Sequence, residues 1–438
     1  MTPRTLTRAA VAGFAAVALF GSAACGSGFD DSKSDTKQSS GPASLQILIG
    51  SSGDAETKAV QDAAAKWASS SGNTATVTPA QDLTQQLGQA LAGGTPPDVF
   101  YVDATRFADY ASVGALEPYG DKVSNTDDFY ESLRTTFTYD GKLYCAPKDF
   151  STLALEINTD LWAKAGLTDA DVPTTWDQLT AVSEKIKAKK MVALALGDTR
   201  DRIGAFMVQN GGWLMSKDGK QPTADTPENL QALQYVKGLL TNGYAKFPKQ
   251  LDSGWSGEAF GKGKAVMTIE GNWIKGALQN DFPNVKYKVV PLPAGPKGQG
   301  TLSFTQCWGI AAKSKFKDQA IKFVEAMTAG DQQVTFAKAF GVMPSRQSVR
   351  DQYSSAFPAD KPFIDGVAYA QGPVNAPKMD SVLRDLEAGL QGLATGDPKT
   401  ALANFDKNAK AALGGCSPGW PAARRSAGCS AAGSATPS

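Results

Sequence analysis

The chain has 438 residues, 42% hydrophobic and 20% charged, which suits two or three ordinary soluble domains or one two-lobed body. Its 44 basic and 43 acidic side chains nearly cancel, which argues against nucleic acid as a partner because such binding usually requires a basic field. The chain contains no histidine, which removes the commonest general base, the Ser-His and Cys-His pairs, and zinc sites built on imidazole. No metal-binding spacing and no cofactor motif is found, so an enzyme built from this chain would rely on carboxylates, lysine or tyrosine.

The first 24 residues are typical of an export signal. Arg4 and Arg8 precede an uncharged stretch from Ala9 to Cys25. The strongly apolar part of this stretch ends at Phe20 after about a dozen residues, well short of the roughly 20 that a membrane-spanning helix needs. The sequence therefore predicts a signal peptide over residues 1–24.

The end of that segment, "SAAC", resembles a lipobox, the site at which bacterial signal peptidases release a lipid-modified cysteine, although Ser22 stands where the usual pattern has leucine. This resemblance predicts that Cys25 is lipidated and that the protein lies on the extracytoplasmic face of the cell membrane. Simple secretion with Cys25 incidental is the alternative. Removing residues 1–24 deletes two arginines, so the mature charge is 42 − 43 = −1.

Two segments lack periodicity and are rich in small or polar residues. Residues 25–43 predict a lipid-anchored flexible linker, and the 18 residues from Gly26 to Ala43 would span on the order of 20–25 Å. Two or more acyl chains on Cys25 would hold such a chain stably at a membrane. Residues 415–438 predict a flexible tail.

The first structured elements alternate between strand and helix. "LQILIG" predicts a strand, a helix with Asp54 as N-cap follows, and "TATVTPA", "LTQQLGQALAGG" and "PDVFYVD" predict strand, helix and strand. This order is typical of a parallel sheet with right-handed crossovers. Because ligands bind at the carboxyl ends of parallel strands, we expect Gly50 to Glu56 and Tyr101 to Asp103 at a binding edge.

From Thr174 onward the pattern is more helical. Helices are predicted at "TTWDQLTAVSEKIKAKK", "TPENLQALQYVKGLLTNG", "FKDQAIKFVEAMTAG" and "MDSVLRDLEAGLQGLATG", with short strands at "MVALALG", "KAVMTIEG" and "YKVVPLP". No repeat of fixed period is present. Trp162 and Trp176 lie at apolar helical spacing and are interpreted as core residues.

An ordered series of motifs resembles a known family. The motifs are "PDVFYVD", "DGKLYCAPKDFSTLALEINTDLWAKAGL", "PTTWDQL", "FGKGKAVMTIEGNW", "WGIAAKSKFKDQAIKFVEAM" and "GVMPSR". In this order they resemble the extracellular solute-binding proteins of ABC importers, in the sugar-binding class that includes maltose-binding protein. The resemblance covers almost the whole mature chain.

That resemblance implies an α/β, two-lobed periplasmic-binding-protein-like fold with a hinge and an interlobe cleft. Lobe 1 would comprise residues 44–144 plus 310–345, and lobe 2 with the hinge would comprise 145–309 plus 346–414. Ligand would favour the closed arrangement because it contacts both lobes at once.

The resemblance also implies a disulfide bond. It matches "GKLYCAP" and "FTQCWGIAA" to two crossing segments that run side by side, which predicts a bond between Cys145 and Cys307. Two buried free thiols are the alternative. Cys416 and Cys429 are expected to form a second, local pair, and Cys25 is then left for lipid attachment.

A sugar site needs an aromatic platform together with groups that form paired hydrogen bonds. On the resemblance, nine residues are candidate ligand contacts: Tyr101, Asp103, Asp149, Phe150, Trp255, Asn272, Trp273, Met343 and Arg346. Asp149 could equally cap the next segment. Trp308 could pack at the hinge or stack on ligand.

The main hypothesis is a monomeric, non-catalytic receptor that delivers a carbohydrate, in particular an oligosaccharide, to a membrane permease. One alternative is an anchored carbohydrate-active enzyme that uses two carboxylates and needs no histidine. Another is a surface adhesion or signalling protein on the same fold, because fold does not determine function.

Overall fold

A computed structural model of the protein describes residues 41–414. Fourteen strands are found in this range: β1 (Ser44–Ile49), β2 (Thr74–Pro79), β3 (Val99–Asp103), β4 (Thr138–Tyr139), β5 (Lys142–Leu143), β6 (Ala146–Pro147), β7 (Ser151–Asn158), β8 (Leu194–Ala195), β9 (Ala245–Lys246), β10 (Met267–Gly271), β11 (Tyr287–Val290), β12 (Thr301–Phe304), β13 (Gln306–Ile310) and β14 (Ala370–Gln371).

Sixteen α-helices lie in the same range: α1 (Asp54–Ser71), α2 (Leu83–Ala92), α3 (Ala104–Ser112), α4 (Glu131–Thr136), α5 (Thr159–Lys164), α6 (Trp176–Ala188), α7 (Arg200–Gln209), α8 (Pro227–Thr241), α9 (Ser256–Gly261), α10 (Ile274–Asp281), α11 (Lys317–Met327), α12 (Gly330–Phe340), α13 (Arg350–Ala356), α14 (Lys361–Gly366), α15 (Asp380–Gln391) and α16 (Pro398–Gly414). None of these helices is both long enough and apolar enough to cross a membrane.

The first sheet has the strand order β2-β1-β3-β13-β6. Strands β2 and β3 flank β1 in parallel, as the alternation of strand and helix predicts, whereas β13 joins antiparallel to β3. Its core packs the sheet against α1, α3 and α11, where Trp67 meets Phe323 edge-on. We call this sheet and its helices the first lobe.

Helix α1 begins one residue differently from the prediction. Gly53 holds the N-cap position and Asp54 is the first helical residue, where its charge still favours the positive end of the helix dipole. No side chain at the cap position bonds the first turn. Instead, Glu56 accepts hydrogen bonds from the backbone N–H and the hydroxyl of Ser52.

The second sheet is built around β7, in the order β14-β12-β7-β10-β8-β9, with β11 also paired to β7. All eight residues of β7 are buried. Helices α6, α7, α8, α15 and α16 contribute to the core of this sheet, which we call the second lobe. Trp162 and Trp176 are buried in this core, which confirms their interpretation as core residues.

Three connecting segments run side by side between the sheets. The Lys148 N–H donates to the carbonyl of Gln306 at 2.9 Å, and the Phe150 N–H donates to the carbonyl of Met343 at 3.0 Å. The Ser345 hydroxyl donates to the carbonyl of Pro147 at 2.7 Å. The predicted lobe boundary at 144/145 falls just before β6, the one at 309/310 falls inside β13, and the partition stays a prediction.

The predicted disulfide bond between Cys145 and Cys307 is confirmed, with a Cα–Cα distance of 5.7 Å. Both residues are fully buried in the first lobe at the point where β6 pairs with β13. The second predicted pair, Cys416 and Cys429, and the lipidation residue Cys25 lie outside the described residues, as do the predicted signal peptide and tail.

Candidate functional site

A cavity of about 640 Å³ lies between the two lobes, within the 300–1,000 Å³ typical of small-molecule sites. We call it the cleft cavity. The first lobe contributes residues at the carboxyl ends of β1 and β3, and the second contributes residues of α7, β12 and α15. Its lining comprises Gly50, Leu83, Thr84, residues 103–106, Arg200, Asp201, Trp213, residues 302–306, residues 371–373, Asp380, Leu383, Arg384 and Glu387.

Asp103 is the one of the nine predicted contacts that lines the cleft cavity directly. It ends β3 and caps α3, because its carboxylate accepts hydrogen bonds from the backbone N–H of Thr105 at 2.9 Å and from the Thr105 hydroxyl at 2.6 Å. These bonds fix the orientation of the Asp103 and Thr105 side chains, and both residues line the cavity.

Two ion pairs hold the charged wall of the cleft cavity. Arg106 of the first lobe pairs with Asp380 of the second. Arg200 bonds Glu387 twice, through its guanidinium at 2.5 Å and its backbone N–H at 3.1 Å. Burial raises the pKa of the Glu387 carboxyl, although Arg200 acts in the opposite direction. Both pairs present donors and acceptors beside the cavity.

Aromatic rings supply the apolar part of the wall. Phe304 and Trp213 line the cavity, and Trp213 is anchored because its carbonyl accepts hydrogen bonds from Asn229 and Thr223, each at 3.0 Å. Trp273 is 38% exposed and meets Phe304 edge-on, with ring centroids 5.1 Å apart. Trp273 therefore lies beside Phe304, at the edge of the cavity wall.

Behind this aromatic pair lies a buried carboxylate network. Glu270 accepts hydrogen bonds from Arg202 at 2.6 Å and from the Trp273 indole N–H at 3.0 Å, and the Arg202 guanidinium lies over the Trp273 ring. Burial, with Glu270 nearby, raises the pKa of Glu156 well above its ordinary value. Glu270 therefore positions Arg202 and Trp273, and Glu156 and Glu270 are both fully buried and do not line the cleft cavity.

Tyr101 and Asp149 lie in a different place, a buried ionic cluster at the first connecting segment. The Lys148 ammonium pairs with Asp149 and, at 3.1 Å, with Glu56, and it lies 4.7 Å from the Tyr101 ring centroid. Burial would raise the pKa of Glu56, but Lys148 and Ser52 together lower it. This cluster is not part of the cleft-cavity lining.

Four further predicted contacts are buried and bonded within the protein. Phe150 and Met343 pair through their backbones, and Phe150 meets Tyr130 edge-on. The Asn272 amide donates to the carbonyl of Gly341 at 2.9 Å. The Arg346 guanidinium lies 4.2 Å from the Phe129 ring centroid and donates to the carbonyls of Thr328 and Asn125, and burial lowers its pKa.

Trp255, the ninth predicted contact, is half-buried at the start of α9 and packs on a small cluster that includes Phe260 and Ile274. Trp308 is fully buried between Tyr101 and Phe323. Neither tryptophan lines the cleft cavity.

Several cavity residues were not predicted from the sequence. Arg106 stands only three residues after Asp103, so the end of β3 was a usable signal for it. Trp213 follows a glycine pair in "NGGWL", a turn that could have indicated an exposed aromatic. Arg200, Asp380 and Glu387 carry no local signal, because helix periodicity alone does not reveal which polar face meets the other lobe.

Comparison with known proteins identifies relatives of this architecture. A model of the bacterial extracellular solute-binding proteins matches residues 62–364. The diacetylchitobiose binding protein DasA of Streptomyces coelicolor is 28% identical over 279 residues, which cover 61% of this chain and 65% of that protein. The maltotriose-binding protein of Pyrococcus abyssi is 25% identical over 334 residues, covering 73% of this chain and 70% of that protein. The chain thus spans about two thirds of the length of these relatives.

Solved structures show the same fold. The GacH receptor of Streptomyces glaucescens, known unliganded and with acarbose, matches with a TM-score of 0.72 at 24% identity, over 85% of this chain and 98% of that one. The cyclic alpha-maltosyl-1,6-maltose binding protein of Arthrobacter globiformis matches with a TM-score of 0.76 at 21% identity. The match covers 85% of this chain and 99% of that one. The expected two-lobed α/β fold is confirmed. Because the family model covers more than half of its length, the chain belongs to the bacterial extracellular solute-binding proteins.

Proposed function

We propose that this protein is the extracytoplasmic receptor of an ABC importer, which captures a carbohydrate, in particular an oligosaccharide, in the cleft cavity and delivers it to a membrane permease. The observation that carries the proposal is that both lobes line one cavity of about 640 Å³. A guest in this space contacts both lobes at once, and such a guest favours the closed arrangement of a hinged protein.

The chemistry of the wall supports a carbohydrate. Phe304 and Trp213 offer apolar ring faces, and the Arg200–Glu387 pair offers donors and acceptors for hydroxyl groups. The names of the relatives point the same way, since they describe proteins that bind diacetylchitobiose and maltotriose.

Two of the nine predicted ligand contacts are supported best by their position relative to the cleft cavity. Asp103 lines the cleft cavity, and Trp273 lies against Phe304 at its edge. The roles of the remaining seven stay predictions: Tyr101, Asp149, Phe150, Trp255, Asn272, Met343 and Arg346.

The anchoring and partners form a further part of the proposal. Lipidation of Cys25 would hold the receptor at the outer face of the membrane, the linker over residues 25–43 would let it reach a permease, and it would act as a monomer. The extracellular character of the family supports this location.

The receptor would release its sugar unchanged. The names of the relatives support this, since they describe binding proteins. A thermal-shift screen against oligosaccharides tests binding, because a ligand at 100 times its Kd adds about 2.7 kcal/mol. Chromatography of the recovered sugar separates a receptor from an enzyme, since only an enzyme converts it to product.

A further inference from the structure

Residues 372–380 connect β14 to α15 and contact both lobes, and we call this segment the strap. A Cβ atom on Gly219, whose φ is 68°, would lie 2.1 Å from the carbonyl oxygen of Asn375, so a turn of the second lobe packs directly on the strap backbone. Three apolar side chains of the strap are buried in the core of the second lobe: Val374, Ala376 and Met379. The strap is therefore part of the second lobe.

The polar groups of the strap bond the first lobe at three places. The Asn375 amide donates to the backbone carbonyl of Thr136, at the end of α4, at 3.0 Å. The Lys378 backbone N–H donates to the carboxylate of Asp109, on α3, at 2.7 Å. Asp380 adds an ion pair to the same helix. The strap thus reaches two separate parts of the first lobe while its apolar side chains stay in the second.

The first residue of the strap lies very close to the first lobe. A Cβ atom on Gly372 would lie 2.7 Å from the hydroxyl oxygen of Thr136, so a larger residue here would push the two segments apart. Thr136 precedes Phe137, which is fully buried in the core of the first lobe. The bond from the strap to Thr136 therefore joins it to a firmly packed part of the first lobe.

Lys378 adopts a left-handed backbone conformation, with a φ of 65°. A residue other than glycine takes this conformation at a cost in free energy and keeps it where the surrounding structure fixes it. The residues on either side are constrained, since Met379 is buried and the ring of Pro377 fixes its own φ. The strained position is the one whose N–H bonds Asp109 of the other lobe. The local strain is therefore coupled to an interlobe contact.

We infer that the strap is an interlobe latch, which moves with the second lobe and must detach from α3 and from Thr136 before the lobes can separate. Two-lobed proteins open by rotation about their connecting segments. Residues 371–373 and Asp380 line the cleft cavity, so the latch lies at the edge of the site that this rotation would widen. The strength of the latch then sets the equilibrium between joined and separated lobes, whichever guest the cavity takes.

Interlobe distances measured by pulsed electron paramagnetic resonance on the full chain, with no ligand added, test this inference. Lys66 on α1 and Lys189 at the end of α6 are exposed, and each is replaced by p-acetylphenylalanine that carries a nitroxide, so the native cysteines stay in place. The variant Asp109→Ala/Asn375→Ala removes two of the latch bonds. We expect a longer mean distance and a broader distribution than in the parent chain.

The matched control is Asp62→Ala/Asn408→Ala. It deletes the same two kinds of side chain, from an exposed ion pair on α1 and from an amide bond to Asp385 within the second lobe, and leaves the strap untouched. The distance distribution of the control should equal that of the parent chain. The single variants Asp109→Ala and Asn375→Ala should each give a smaller shift than the double variant, and circular dichroism verifies that each protein is folded.

Two results would overturn the inference: an unchanged distance distribution in the folded latch variants, or an equal broadening in the control. Neither result requires a sugar in the cleft cavity, so failure here is distinguishable from failure of the proposed receptor function.

Discussion

Arg106 of α3 and Asp380 of α15 form an ion pair that joins the two lobes at the cleft cavity. The two residues are separated by 274 positions in the chain. A second bond supports the same contact, since the Lys378 backbone N–H donates to Asp109 at 2.7 Å. The two lobes are thus held together in part by charges that also line the proposed binding site.

Asp380→Asn should affect binding more than stability. Both partners are partly exposed to water, so the loss of the pair should change the free energy of unfolding by less than about 1 kcal/mol. Sugar affinity should fall several-fold because the closed arrangement loses an interlobe bond. Calorimetric titration and urea unfolding measure the two effects.

Asp62→Asn is the matched control for this change. It removes an exposed ion pair with Lys58 on α1, away from the cavity, and should alter neither quantity. Equal losses of affinity in both variants would show that the Arg106–Asp380 pair has no special role in closure.

Trp273→Ala and Trp255→Ala separate two contacts that the sequence predicts equally. Trp273 packs on Phe304 at the cavity wall, whereas Trp255 packs on a separate cluster with Phe260. We expect Trp273→Ala to weaken sugar binding roughly ten-fold, about 1.4 kcal/mol, and Trp255→Ala to change it less than about two-fold. Calorimetry of both variants with one sugar checks this, and the reverse order would place the ligand elsewhere.

Loss of the disulfide should lower stability strongly. The bond between Cys145 and Cys307 closes a loop of 162 residues, for which the chain-entropy estimate is about 5 kcal/mol. Urea unfolding of Cys145→Ala/Cys307→Ala against the oxidised protein measures this difference. A thiol assay on the unreduced, denatured protein provides the check, because two titratable thiols from these positions would contradict the bond.

Glu156 should make stability depend on pH. Burial raises its pKa in the folded state above the ordinary 4.5, so the native protein binds more protons than the unfolded chain. The stability that this group contributes is therefore complete below about pH 4.5 and is lost as the pH rises toward the folded pKa, by at most about 1.4 kcal/mol per pH unit.

Glu156→Gln tests this, because glutamine resembles the protonated acid and cannot ionise. Between pH 5 and pH 8, the unfolding free energy of the wild-type protein should fall relative to that of the variant. Parallel pH profiles for the two proteins would mean that Glu156 has the same pKa in the folded and unfolded states.

The sequence predicted the first sheet well, because its signals are local. The elements from β1 to β3 alternate with regular periodicity, and α2 lies within the segment predicted as a helix. The disulfide was predicted by a different route, since the resemblance to a known family brought Cys145 and Cys307 together across 162 positions.

The site was harder to predict, because its walls depend on contacts between distant segments. Nothing local to Asp380 or Glu387 indicates that α15 turns this face toward Arg106 and Arg200. Conversely, Tyr101 lies in the middle of β3, where β13 brings Trp308 against its ring and Lys148 lies over it, so Tyr101 is buried.

The most direct test of the central claim is an isothermal titration of the full chain with diacetylchitobiose and with maltotriose, followed by chromatography of the sugar. The account predicts saturable one-to-one binding of at least one of them, or of a related oligosaccharide such as acarbose, with the sugar recovered intact. Conversion of the sugar to product would contradict the account. So would the absence of a binding heat with every carbohydrate tested, if another class of solute binds.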